Sequence, residues 1–237
     1  MVQNEFVRRY VRPLIPFPKR KTLLRYFPPF STKNIGFIFS QNAIDTVIDI
    51  GANRGQFASG LRSVGYKGRI VSFEPNRTIH AELKKAAAGD PNWIISDPVA
   101  LGQKDEVGSL IIPEDSSLAS FLPSLHATPK RSQSIEIRRL DDLLGPLGVP
   151  ETSSIAIKID VQGFELNVLQ GAPKALEKSR ALLIEVCLNP TYVDEVDYLE
   201  VLGFLKEKGF RAVDFFPVIQ RRSLGESYQM DVLLVRR

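Results

Sequence analysis

The stretch VIDIGANRGQF, Val47 to Phe57, decides the fold. It opens as a β-prone apolar run broken by one acid, Asp49. Gly51 and Gly55 then fall where a strand must turn into a helix, with Ala52 and Asn53 between them. Glycine there accepts positive φ and permits close approach of a ligand. A dinucleotide-binding turn would read G-x-G-x-x-G; position 53 is Asn and position 56 is Gln, so two of its three glycines are missing. The turn is shaped for a ligand and is a poor cradle for a pyrophosphate.

The next apolar run ends IVSFEPN, which puts Glu74 at the carboxyl end of a second strand, followed by Pro75 and Asn76. An acid there can accept both hydroxyls of a ribose. Asp49 suits a cationic group such as an ammonium and would repel phosphate. A ribose joined to an amino acid, without phosphate, describes S-adenosylmethionine.

Outward from this stretch, short β-rich runs alternate with helical patterns. Strands are predicted at 46–50, 69–73, 93–96, 155–160, 181–186, 210–216 and 231–235. Helices are predicted at 56–64, 77–88, 164–169 with a continuation toward 178, and 194–208. Strands this apolar are usually buried on both faces, and strand–helix alternation points to an α/β fold with a mostly parallel sheet. The last two strands are joined without a helical pattern, which suits an antiparallel pair. Residues 108–112 and 134–138 break the alternation as an inserted hairpin around a long loop rich in Pro, Ser and Thr.

Composition bounds the rest. The 237 residues are 43% hydrophobic and 24% charged, which is enough for one well-buried core. Residues 1–43 read as an arm and 44–237 as the body. Seven basic residues and one acid give residues 1–30 a charge of +6, so residues 31–237 of this +4 chain are −2. A body of that charge is a poor nucleic-acid binder. The arm, with six aromatics and five prolines, reads first as an extension packing on the body. Its sharper reading is peripheral contact with an anionic membrane, at about 1 kcal/mol per basic residue near the surface. The single cysteine, Cys187, forms no internal disulfide, and no Cys/His spacing suggests zinc, so a reducing, cytoplasmic setting is expected. No apolar run reaches the roughly 20 residues of a membrane span, and the basic start lacks the apolar core of a secretory signal.

VIDIGANRGQF, VSFEPN, VALGQKDEVGSL, SSLASF and IKIDVQGFELNVLQGA occur in that order, and over about residues 44–237 the chain resembles the FkbM family of S-adenosylmethionine-dependent methyltransferases. The block Lys158–Ala172 is its most specific part. The resemblance implies a class I methyltransferase (Rossmann-like) fold of seven strands with one antiparallel strand. It also implies O-methylation of a sugar, glycan or polyketide-like hydroxyl, so the expected partner is a small-molecule or glycan acceptor. Position by position, Asp49, Gly51, Ala52, Asn53 and Gly55 match the methionine-side loop. Glu74 matches the ribose acid, with Pro75 and Asn76 beside it. Asp97 falls where this fold places a neighbour of the adenine, with Ser96, Val99 and Ala100 as alternatives.

Methyl transfer needs an aligned acceptor oxygen and a group to take its proton. Asp160, at the end of the fourth strand of the alternation, is the first candidate base, with cofactor contact as its other reading. Glu185 ends the fifth and is the second candidate, because a carboxylate in an apolar strand needs a partner. Lys158 is expected to pair with Asp160 or Glu185. Glu165 is expected to face a helix N-terminus. His80 is expected at the surface, and His126, Ser116 and Ser117 in the long loop. Two readings compete with the methyltransferase: an NAD-dependent oxidoreductase, and an inactive module that kept the fold.

Overall fold

The computed structural model describes residues 30–221 and 226–236. The expectations for residues 1–29, membrane contact included, lie outside the described residues. Helix α1 (Phe30–Gln41) leads into β1 (Thr46–Ile50), α2 (Gln56–Ser63), β2 (Arg69–Phe73), α3 (Arg77–Ala87) and β3 (Trp93–Ile95). Three strands follow, β4 (Ala100–Leu101), β5 (Glu106–Pro113) and β6 (Pro129–Arg138), then the short α4 (Leu140–Leu143). The chain continues through β7 (Ile155–Ile159), α5 (Glu165–Gln170), α6 (Pro173–Lys178) and β8 (Ser179–Cys187). It ends with α7 (Tyr198–Glu207), β9 (Phe210–Arg221) and β10 (Glu226–Arg236).

Seven strands form one sheet in the order β3-β2-β1-β7-β8-β10-β9, in which β10 runs antiparallel to both neighbours and every other pairing is parallel. This is the expected α/β architecture. The five-residue strands TVIDI and IAIKI are buried throughout. Alternate side chains enter two helix layers, as period-2 geometry requires. Ile48, Ile50, Ile157 and Ile184 pack toward α5, α6 and α7, on the same face as Leu169, Leu176 and Leu205. Val47, Ile70 and Ala156 pack toward α1, α2 and α3, against Phe39, Leu61 and Leu83.

The arm boundary moves. Residues 30–41 form a helix whose Ile35 and Phe39 are 4% and 1% exposed in the core, so the body begins before residue 44. Burying a side chain such as Phe39 is worth about 1.5–3 kcal/mol, and this outweighs the irregular start that the nearby prolines suggest. The inserted hairpin is longer than expected: β5 and β6 pair antiparallel over eight register partners, and β4 joins them as a separate three-stranded sheet. The predicted helix beyond 164 is two helices, broken at Gly171–Ala172, with Pro173 starting the second. The loop expected after β9 is mostly strand, because β9 and β10 extend their pairing as far as Arg221 and Glu226.

Candidate active site

The carboxyl ends of β2, β1 and β7 stand side by side, and the turns that leave them build one cleft. Glu74 leaves β2, the glycine turn leaves β1, and Asp160 leaves β7. The cleft holds about 630 Å³ of open space, solvent at its mouth included. Gly51, Asn53, Glu74 and Pro75 line it from the β1–β2 side, and Asp160, Val161, Gln162 and Phe164 from β7. Val99 contributes from just before β4, Ala100 from its first position, and Ser116, Ala119 and Phe121 from the long loop.

The glycine turn is made by the protein's own crowding. Gly51 has φ +72° and Gly55 φ +82°, as expected, and Asn53 joins them at φ +48°. A Cβ on Gly51 would lie 1.8 Å from the Asp160 carbonyl oxygen, and one on Gly55 2.7 Å from the Trp93 ring. Both glycines therefore admit protein atoms, where the sequence suggested room for a ligand. Gly51 and Ala52 donate their N–H groups to the Phe73 carbonyl at 3.1 and 3.0 Å, and Asp160 donates to Ile50 at 3.1 Å. Ala52 is buried and does not line the cleft.

Glu74 is 8% exposed. Its Oε2 accepts the Asn53 N–H at 2.9 Å and its Oε1 the Asn76 N–H at 2.8 Å. Burial pushes its carboxyl up to about 7, against the lowering effect of those two N–H groups. Each oxygen keeps a lone pair for a further donor. Asn76 itself is fully buried: its Oδ1 caps α3 by accepting from Thr78 N at 3.2 Å, and its Nδ2 has no partner among the described residues. Its side chain is thus a cap, and only its backbone supports Glu74. Asp97 is exposed and does not line the cleft; Val99 and Ala100 occupy that wall.

Asp49 is displaced from its expected role. The side chain is fully buried beneath the turn and does not line the cleft. Register explains why. Asp49 faces Ser72 on β2 and Lys158 on β7, so the polar residues of three apolar strands form one row. Ser72 Oγ lies 3.3 Å from Asp49 Oδ2 and also receives Trp93 Nε1 at 2.9 Å. Lys158 Nζ stands 3.7 Å from Asp49 Oδ1, which has no hydrogen-bond partner. Burial raises the Asp49 carboxyl above its usual range despite Lys158. Burial alone would lower the Lys158 ammonium, but Asp160 and Asp49 outweigh it and hold the group above its usual range. Lys158 also donates to the Gly51 carbonyl at 2.8 Å and to Asp160 Oδ2 at 3.2 Å, so it props the turn from below.

Asp160 is the partly exposed carboxylate of the cleft, with its side chain 32% accessible and its Oδ1 taking Gln162 Nε2 at 2.9 Å. Glu185 is not in the cleft. It is 8% exposed behind Gln162, whose Nε2 it accepts at 2.9 Å. Burial, reinforced by Asp160, Asp231 and Glu165, pushes its carboxyl up to about 9. Lys158 accordingly pairs with Asp160 and Asp49, not with Glu185. Glu165 Oε1 accepts the N–H groups of Val161 and Gly163, which ties the turn after β7. His80 is buried at 5% exposure with Nε2 2.7 Å from the Ser96 carbonyl, contrary to its expected surface position, because α3 packs that face on β3. His126 is exposed and outside the cleft.

Two residues escaped the sequence reading. Gln162 lines the cleft, and the fully buried Tyr192 donates its hydroxyl to Gln162 Oε1 at 2.8 Å. Gln162 had a faint signal, a polar residue before a glycine at a strand's carboxyl end. Tyr192 lies in irregular chain after β8 and had none. Among the described residues, no group of three or more His, Cys, Asp or Glu side chains is arranged to hold a metal ion.

A family model described as the methyltransferase FkbM domain matches residues 49–212. The hexuronic acid methyltransferase AglP of Haloferax volcanii is 28% identical over 162 residues, covering 68% of this chain and 63% of that protein, so this chain spans less than two thirds of that relative's length. A solved structure from Klebsiella pneumoniae, described as a candidate O-methyltransferase, superposes with a TM-score of 0.52 at 12% identity, over 100% of this chain and 96% of its own. That likeness is one of fold.

Proposed function

This chain belongs to the FkbM methyltransferase domain family, and from that premise we propose that it moves the methyl group of S-adenosylmethionine to a hydroxyl of a sugar or glycan acceptor. The observation that carries the cofactor reading is Glu74, a cleft carboxylate fixed by two backbone N–H groups with a lone pair left on each oxygen. That acceptor pair fits two vicinal hydroxyls and disfavours phosphate. Gly51, Asn53 and Pro75 flank Glu74, and Val99 and Ala100 offer an apolar wall for a flat ring. The acceptor reading is supported by the family and by the relative that acts on a hexuronic acid.

When bound, the sulfonium supplies an electrophilic methyl group. An acceptor oxygen taking that methyl group would have to lose its proton. Asp160 is the cleft carboxylate placed to take that proton, with Lys158 and Gln162 holding its two oxygens. Phe121, Phe164 and Ala119 line the same cleft. No specific observation favours a dinucleotide or an inactive module.

Titration calorimetry with S-adenosylhomocysteine tests the cofactor. We expect binding that weakens at least about tenfold in Glu74→Ala, since hydrogen bonds to a charged group are worth about 1.5–3 kcal/mol. Transfer of labelled methyl from S-adenosylmethionine to a panel of methyl glycosides tests the reaction. Absent binding by the wild type, or unchanged affinity in Glu74→Ala, would overturn the cofactor reading.

A further inference from the structure

The side chain of Gln162 makes three hydrogen bonds at the edge of the cleft. It is 9% exposed and holds φ +58°, a left-handed backbone that a non-glycine residue adopts only when its surroundings impose it. Its Nε2 gives one hydrogen to Asp160 Oδ1 and one to Glu185 Oε1, each at 2.9 Å. Its Oε1 accepts from Tyr192 at 2.8 Å, and its backbone carbonyl accepts from Ser120 Oγ at 2.6 Å. Asp160 only accepts, so the amide nitrogen must face the carboxyl groups and the oxygen must face Tyr192. The Tyr192 hydroxyl stays a donor, because burial raises it above its usual range.

Both of the outer partners belong to the long loop or grip it. Ser120 pairs with Ile111 through two backbone hydrogen bonds of 2.8 and 3.1 Å, and its Oγ accepts from Leu122 N at 3.0 Å. Tyr192 sits in a segment bridged to the same loop: Leu125 donates to Thr191 at 2.9 Å, Val193 donates to Pro123 at 2.8 Å, and Ser124 and Tyr192 form a bridge. The loop in turn supplies Ser116, Ala119 and Phe121 to the cleft wall, where the Phe121 ring packs against Phe164 at 45° with centroids 5.1 Å apart.

We propose that Gln162 is a positioning residue: its side-chain amide sets Asp160 on the cleft floor and, through Tyr192, fastens the 114–128 loop over it, while its backbone carbonyl holds Ser120 of the same loop. Its role toward Asp160 rests on the proposed methyl transfer; the fastening of the loop does not. An amide is required here. A glutamate would add a carboxyl beside Asp160 and Glu185, with Glu165 and Asp231 close behind and Lys158 already committed to Asp160 and Asp49.

The test uses the full chain with Gln162→Leu, Gln162→Glu and Tyr192→Phe, each first checked for a cooperative thermal transition. Amide hydrogen exchange is followed across residues 116–125, with β1 and β7 as internal references. Gln162→Leu and Tyr192→Phe should each speed exchange in the loop at least about threefold to tenfold, the loss expected for one or two buried hydrogen bonds, and leave β1 and β7 unchanged. Equal loop exchange in folded variants would overturn the fastening. The link to Asp160 is read by a double-mutant cycle on methyl transfer to the glycoside panel. Gln162→Leu should lower kcat at least about tenfold in wild type and less than about twofold in an Asp160→Asn background. Equal losses in both backgrounds would overturn it. Wild type that binds no S-adenosylhomocysteine would sink the methyltransferase reading, and faster loop exchange in the variants would still support the fastening.

Discussion

Replacing Lys158 by methionine should destabilise the protein by several kcal/mol. Methionine keeps an unbranched stem of similar length and removes the ammonium. What remains is Asp49, fully buried, with Oδ1 lacking a hydrogen bond and Oδ2 held only by Ser72 at 3.3 Å. Removing one partner of a buried pair costs about 3–5 kcal/mol, because the survivor is left charged without compensation or must take up a proton. The lysine's bond to the Gly51 carbonyl goes with it, so the turn loosens as well. For a domain of 150–250 residues, about 2–4 °C of Tm per kcal/mol turns that into a fall of about 6–20 °C. Circular dichroism melts at pH 7 measure it. Adding Asp49→Asn to Lys158→Met should recover about half of the loss, since the orphan is then neutral. A fall of less than about 3 °C, or no recovery in the double variant, would refute the idea that the row Ser72–Asp49–Lys158 is an electrostatic unit.

Three further outcomes follow from the same geometry. Gly51→Ala meets the Asp160 carbonyl at 1.8 Å, whereas Gly65→Ala, also at positive φ, meets nothing within 4 Å; denaturant midpoints should show Gly65→Ala losing about 1–2 kcal/mol and Gly51→Ala at least twice that, and equal losses would discredit the close contact. Glu185 titrates at about 9 in the folded chain against 4.5 in the ordinary carboxyl, so its folded pKa is raised: the stability it contributes is complete below about pH 4.5 and is lost as pH rises toward 9. Urea midpoints from pH 5 to 9 should therefore decline in wild type and decline less in Glu185→Gln, and an unchanged slope would count against a buried neutral Glu185. Glu74 sits at about 7, so affinity for S-adenosylhomocysteine should rise through that pH as its carboxylate becomes an acceptor, and should be flat with pH in Glu74→Gln; a pH profile identical in both would separate Glu74 from binding.

By itself the sequence determined everything that depends on neighbours along the chain. Apolar runs of five residues, rich in Ile and Val and bounded by glycine or a helical pattern, read as buried strands, so β1, β2 and β7 were plain, as were the turn at Gly51 and Gly55 and the acid at Glu74. The ordered motifs carried the family as well. Tertiary structure decided whatever needs register between strands or contact between distant loops. Asp49 looked like a ligand contact because it precedes a ligand-shaped turn; only the pairing Asp49–Lys158 shows a buried counter-charge beneath that turn. Glu185 looked like a base because it ends a strand, and only Gln162, standing between it and the cleft, shows that it is a buried acid. α1 was hidden by the prolines and charges around it, since Ile35 and Phe39 gain their stability from Leu61 and Val47, more than a helix away. Gln162 and Tyr192 lie 30 residues apart and meet through one hydrogen bond of 2.8 Å. A periodic pattern records which face of an element is buried, and it carries no information about which polar atom on another element will meet it; that choice is made when the sheet closes and the loops settle on its carboxyl edge.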